Sequence, residues 1–84
     1  LRARIIEALM CDFAVSRAEL LRDFDVTPAR LDSLFQDAAA EFGSMVTVTD
    51  QAFLIPQRGR PLTRMIARAF DAYDSAQARH SSAI

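Results

Sequence analysis

Few side chains in this sequence could carry a reaction, and their spacing argues against most of them. A serine or cysteine nucleophile needs a base within reach. The one histidine, His80, stands in a polar stretch beside Ser81 and Ser82, where a chain end disorders more readily than it builds a site. It is read as part of a flexible terminus. Cys11 lies between Met10 and Asp12 at the edge of an apolar helix face, with no cation at helical spacing to hold it as a thiolate, so a packing role is expected. One cysteine and one histidine cannot complete a tetrahedral metal site, and no metal, cofactor or catalytic residue is expected in the chain. Asp71 and Asp74 are three residues apart and share a solvated helix side, without the burial that tunes a general acid.

What remains is arginine. It supplies all ten basic residues against eleven acids, for a net charge of −1, so no positive field exists to attract polyanions. Arg60, Arg64 and Arg68 recur every fourth residue. Like charges at that spacing destabilise an isolated helix by roughly 0.2 to 0.5 kcal/mol per pair, and only Asp71 offers Arg68 a local partner. Two readings stay open. The stripe is a solvated face, or it meets carboxylates on another domain or on a ligand, which guanidinium groups bind in bidentate fashion.

The elements that must position these residues follow from periodicity. Ile5, Ile6, Leu9, Met10 and Phe13 mark an amphipathic helix from the start of the chain. Ser16 with Glu19 is a capping box opening a short second helix that buries Leu20, Leu21 and Phe24, and Asp25 with Val26 form the turn after it. Thr27-Pro28 opens a third helix. Its apolar stripe is Leu31, Leu34, Phe35, Ala38 and Phe42, and Gly43 stands where a left-handed cap is wanted. Val46 and Val48 then alternate with polar residues, and Phe53 to Ile55 return after a turn, which predicts a β-hairpin stopped by Pro56. A long last helix starts between Pro56 and Pro61, with Leu62, Met65, Ile66, Ala69, Phe70 and Tyr73 on its apolar face, and frays after Ala78.

The expectation is a mainly α fold with a small β-hairpin, winged-helix-like, with residues 1–79 as one domain and 80–84 as a flexible tail. That order raises DNA binding, with the third helix reading the groove. Its polar side, however, carries Asp32, Asp37 and Glu41 beside Arg30, and carboxylates repel a phosphate backbone; nucleic acid is not an expected partner. No apolar run approaches the length of a membrane span, so no membrane partner is expected. An amphipathic helix at the very first residue points to a piece of a longer protein.

Several stretches in order resemble one known family: Ile5-Ile6 with Leu9-Met10-Cys11-Asp12-Phe13, then Gly59-Arg60 with Arg64, Phe70-Asp71 and Tyr73, and the closing Ala78 to Ile84. Together they resemble the C-terminal domain of the oxygen-independent coproporphyrinogen III oxidases, from the first residue to the last. Ala52 and Pro56 depart from it, at positions commonly glycine and threonine. The resemblance implies a parent enzyme, cytoplasmic, that converts coproporphyrinogen III to protoporphyrinogen IX in haem synthesis by oxidative decarboxylation of two propionates. It implies that a radical S-adenosylmethionine barrel in the same chain holds the [4Fe-4S] cluster and S-adenosylmethionine, through a three-cysteine motif absent here. The domain itself is implied to be non-catalytic, docking on that barrel and helping enclose the substrate. Arg60 and Arg64 match family arginines and are the candidate contacts to the barrel or to substrate carboxylates; Arg68 does not match and is expected in solvent. Related haem chaperone-like proteins carry a similar extension and are the nearest alternative parent.

Overall fold

The computed structural model describes the backbone of residues 1–82 and the side chains of residues 1–75. Helix α1 (Arg2–Asp12) buries Ile5, Ala8 and Leu9 and ends at Phe13. Phe13 adopts the left-handed conformation, φ 58°, ψ 23°, its N–H donating to the Leu9 carbonyl. That geometry costs a residue with a Cβ roughly 1 to 2 kcal/mol. It is held in place because the Ile55 N–H donates to the Phe13 carbonyl at 2.8 Å.

The reversal at Phe13 sends the chain into a strand that periodicity did not reveal, β1 (Ala14–Ser16). Ser16 ends this strand and also caps α2 (Arg17–Asp23), accepting a hydrogen bond from the Glu19 N–H at 3.2 Å; the reciprocal half of the expected capping box is not made, because the Glu19 carboxylate pairs with Arg4. The Val26 N–H turns back onto the Phe24 carbonyl at 3.0 Å, and Thr27 caps α3 (Pro28–Phe42) through the Arg30 N–H at 3.1 Å. Of the expected α2 core only Leu20 is fully buried; Leu21 and Phe24 are half-buried. Gly43 does take a positive φ of 54°, but its ψ of −126° lies outside the left-handed helical basin, so the chain leaves α3 through a 3-10 turn, η1 (Gly43–Met45), in place of the expected cap.

Strands β2 (Thr47–Val48) and β3 (Ala52–Leu54) form the hairpin. Its turn uses no glycine. The Thr49 hydroxyl oxygen accepts from the Gln51 and Ala52 N–H groups at 3.2 and 3.0 Å, and the Thr49 N–H donates to the Ala52 carbonyl at 2.9 Å; a threonine side chain closes this turn. Strand β3 then pairs with both others, antiparallel, in the order β1-β3-β2, with Val15 opposite Phe53 and Val48 opposite Phe53 on the other edge. The succession α1-β1-α2-α3-β2-β3 with this strand order is a complete winged-helix arrangement.

After Pro56 a second 3-10 segment, η2 (Gln57–Leu62), precedes α4 (Thr63–Ser82). The last helix therefore starts later than the prolines implied, and Arg60 precedes it. Residue 82 lies beyond the Ala78 at which fraying was expected; of the expected tail 80–84, residues 83 and 84 and all the side chains lie outside the described residues.

The core is where α1, α3, α4 and the sheet meet. Phe35, Phe53 and Phe70 are each at most 1% exposed and form an aromatic triangle with centroid separations of 5.2, 5.4 and 6.4 Å, two of the three pairs edge-to-face. Such pairs add about 0.5 to 1.5 kcal/mol each beyond their burial. Helices α1 and α4 run antiparallel: Arg2 meets Asp71 at 3.1 Å, while Phe13 at the other end lies under Arg60.

Candidate functional site: the outer face of η2 and α4

Arg60 is the first of the sequence candidates, and the fold gives it an internal task. Its guanidinium carbon lies 4.4 Å from the centroid of the Phe13 ring, a cation–π contact over the one non-glycine residue with positive φ among the described residues. The cation covers the reversal that starts β1. The segment beneath it is tightly seated. Gly59 is buried, and a Cβ there would overlap the Met45 carbonyl and come within 3.2 Å of Ile55 Cγ2. That close approach is the physical reason for glycine in the Gly59-Arg60 pair. Arg58 is tied to the same turn through the Ser44 carbonyl at 2.6 Å, and the Thr63 hydroxyl donates to the Arg60 carbonyl at 2.7 Å where η2 passes into α4.

Arg64, the second candidate, sits differently. It and Arg68 are exposed, one turn apart on α4, and neither makes an ion pair among the described residues. All three arginines of the expected stripe are exposed; Arg60 is set apart by stacking on Phe13, while Arg64 and Arg68 have no such contact among the described residues. Asp71, the local partner open to Arg68, is taken by Arg2. Pro61, Leu62, Arg64, Met65 and Arg68 line an open cleft of about 420 Å³.

Helical spacing puts Met65 on the apolar face and gives no sign of a site there, yet it is 60% exposed, while Ile66, Ala67 and Phe70 are buried. Rows 62-65-69 and 63-66-70 are neighbours on a helix, and both carry apolar residues here; only the packing partner decides which row faces inward. Cys11 departs from its reading too, being exposed on α1 and not a packing residue.

The other charged groups are absorbed by the scaffold. Arg4 joins α1 to α2 through Glu19 at 2.8 to 2.9 Å and also pairs with Glu7, contacts that raise its pKa. Arg17 pairs with Asp32, and Arg30 with Asp74. Arg22 holds the Asp23 carboxyl below its usual range. The Tyr73 hydroxyl donates to Glu41, and burial first, then that carboxylate, pushes its pKa up. None of these arrangements pairs a nucleophile with a base. Among the described residues no three histidine, cysteine or acidic side chains converge, and no helix is long and apolar enough to cross a membrane. Lone, exposed Cys11 does not fit a cluster that needs several thiolates. What the η2–α4 face can do is bind: two guanidinium groups and an exposed thioether line one cleft.

A curated relative from Paracoccus denitrificans named oxygen-independent coproporphyrinogen III oxidase is 49% identical over 83 residues, covering 99% of this chain and 18% of its own length. The chain is homologous to a segment of these oxidases. A Cereibacter sphaeroides protein of the same name is 48% identical over 75 residues, 89% of this chain and 17% of its length. A second from that species, named coproporphyrinogen III oxidase, anaerobic 1, is 40% identical over 84 residues, 99% of this chain and 19% of its length. The chain therefore spans less than a fifth of the oxidases it matches. No family model matches it, and no solved structure does. Within the matched segment Gly59 and Phe13 serve the fold, and Arg64 with Met65 and Arg68 forms its open face.

Proposed function

We propose that this chain is the C-terminal, non-catalytic domain, 1–79 with a short tail, of a cytoplasmic oxygen-independent coproporphyrinogen III oxidase. In this reading it docks on the radical S-adenosylmethionine barrel of the same polypeptide and helps enclose the substrate. The whole enzyme converts coproporphyrinogen III to protoporphyrinogen IX by oxidative decarboxylation of two propionates. The barrel's [4Fe-4S] cluster and S-adenosylmethionine supply the radical chemistry, and no residue of this chain holds either. The observation that carries the proposal is the 49% identity across 99% of the chain to less than a fifth of a named oxidase. Its arginines divide the work: Arg60 stabilises the domain through Phe13, leaving Arg64 as the outward contact of the two candidates.

The winged-helix arrangement is the specific observation that favours a second reading, binding to duplex DNA through α3. The exposed side of α3 presents Asp32, Asp37 and Glu41, and its Arg30 is paired with Asp74. Carboxylates toward a phosphate backbone oppose binding, and fold alone does not assign function.

The test is a graft. Residues 1–84 replace the matching segment of the Paracoccus denitrificans oxidase, and conversion of coproporphyrinogen III is followed. The chimera is expected to retain turnover. An inactive chimera whose barrel still binds S-adenosylmethionine contradicts the proposal, and micromolar DNA binding with a steep salt dependence turns it toward the second reading.

A further inference from the structure

We infer that Arg64, Met65 and Arg68, with Leu62 beside them, form the seat for a carboxylate-bearing segment of the rest of the enzyme's own chain, its apolar side chain resting on Met65. The inference rests on the proposed reading of the chain as part of a longer oxidase and names the surface that reading uses.

Among the described residues the two cations lack partners of opposite charge. Arg2, Arg4, Arg17, Arg22 and Arg30 each have a carboxylate partner within the fold, Arg58 has a carbonyl, and Arg60 has a ring. Arg64 and Arg68 alone among the arginines with described side chains have none of these, and they are adjacent. Two like charges one turn apart are unfavourable unless something of opposite sign spans them, and an arginine pair at that spacing suits carboxylates in bidentate contact. The face is also apolar. Met65, 60% exposed, is the most exposed large hydrophobic among the described residues and lines the same cleft as the two cations. Thioethers adapt to irregular partners. The face is rigid as well. Gly59 locked against Met45, the Thr63–Arg60 hydrogen bond and buried Ile66, Ala67 and Phe70 fix the backbone from which these side chains project.

The occupant follows from size and tethering. A cleft of about 420 Å³ takes a short segment, not by itself the roughly 20 to 30 residues a side of a stable interface between separate molecules. A segment of the same polypeptide needs much less, because covalent linkage supplies a high effective concentration, and the matched oxidases hold more than four-fifths of their length outside this segment.

The experiment is hydrogen peroxide footprinting of the full-length enzyme, reading Met65 sulfoxide by mass spectrometry against the same residue in guanidinium. In the wild type Met65 is expected to oxidise at least about fivefold more slowly than in the unfolded chain, since susceptibility follows exposure. Protection should be lost in Arg64→Glu/Arg68→Glu and weakened in the milder Arg64→Gln/Arg68→Gln. Equal oxidation rates in folded and unfolded wild type overturn the inference. So does protection that survives both double variants, that appears only with coproporphyrinogen III, or that fades on dilution and thus belongs to a second copy. Coproporphyrinogen III turnover by the same wild-type preparation separates the two claims: turnover without Met65 protection removes the seat and leaves the oxidase reading, whereas absent turnover removes the oxidase reading itself.

Discussion

The packing of η2 against η1 and Phe13 and the outer face of η2–α4 use arginine in opposite ways. In the first, Arg60 covers Phe13, Arg58 reaches the Ser44 carbonyl, and Gly59 leaves no room for a Cβ. On the outer face, Arg64 and Arg68 stand without ion pairs among the described residues beside an exposed methionine. The same residue type closes a small domain on itself and leaves one face open to something else. Substitutions in the first region should be read in stability, and those in the second in contacts beyond the 84 residues.

The sharpest way to break this division is at the core that both regions share. Phe53→Ala removes the centre of the aromatic triangle at a fully buried site; such truncations cost about 3 to 5 kcal/mol. Urea denaturation of the chain should show that loss, and a cost under 1 kcal/mol contradicts the packing described. Gly59→Ala comes next. Its Cβ meets backbone rather than a movable side chain, and overpacking of this kind costs roughly 1 to 3 kcal/mol or more. An unchanged denaturation midpoint would mean that η2 is not seated against Met45.

The pH dependence follows from Tyr73. Its pKa is raised above the ordinary phenol value of 10.0 by burial and by Glu41, so the folded chain keeps a proton that the unfolded chain loses. A raised folded pKa contributes stability that is full below the unfolded value and is lost as pH rises through the folded one. Thermal stability should therefore decline from about pH 10 upward. Lysine is absent, so no ammonium titration overlaps the window. Tyr73→Phe should flatten the decline, and a decline of equal slope in that variant removes the assignment.

The smallest effects divide the arginines. Arg60→Ala should cost about 0.5 to 1 kcal/mol through the lost cation–π contact. In the same 84-residue chain Arg64→Ala should stay within about 0.5 kcal/mol of wild type, as exposed substitutions do. Reversal of that order in paired melts would mean that the Arg60–Phe13 contact does not stabilise the fold and that Arg64 does.

The capping signals Ser16/Glu19 and Thr27-Pro28 were legible because each is a local hydrogen bond that sequence spacing encodes, and both are made. Strand β1 was not legible. Three residues between two helices have no period, and Ser16 serves both strand and cap; the signal was the end of the apolar pattern at Phe13, whose left-handed conformation no residue type announced. At the site, Arg64 was visible through its spacing and its match to the family. The stacking of Arg60 on Phe13 was not, because it depends on η2 being a 3-10 segment that breaks the four-residue register. Met65 was assigned inward because sequence cannot say which of two adjacent apolar rows meets the core.

Arg64→Ala in the full-length enzyme tests most directly whether this chain serves an oxidase through a contact and not through chemistry. Removing one partner of a desolvated charge pair costs about 2 to 5 kcal/mol, against about 0 to 1 kcal/mol for an exposed pair. Conversion of coproporphyrinogen III should fall at least about tenfold, or limited proteolysis should release the domain, at a cost of at least about 1.4 kcal/mol. Wild-type turnover together with an unchanged proteolysis pattern would place Arg64 on a solvated face and contradict the account.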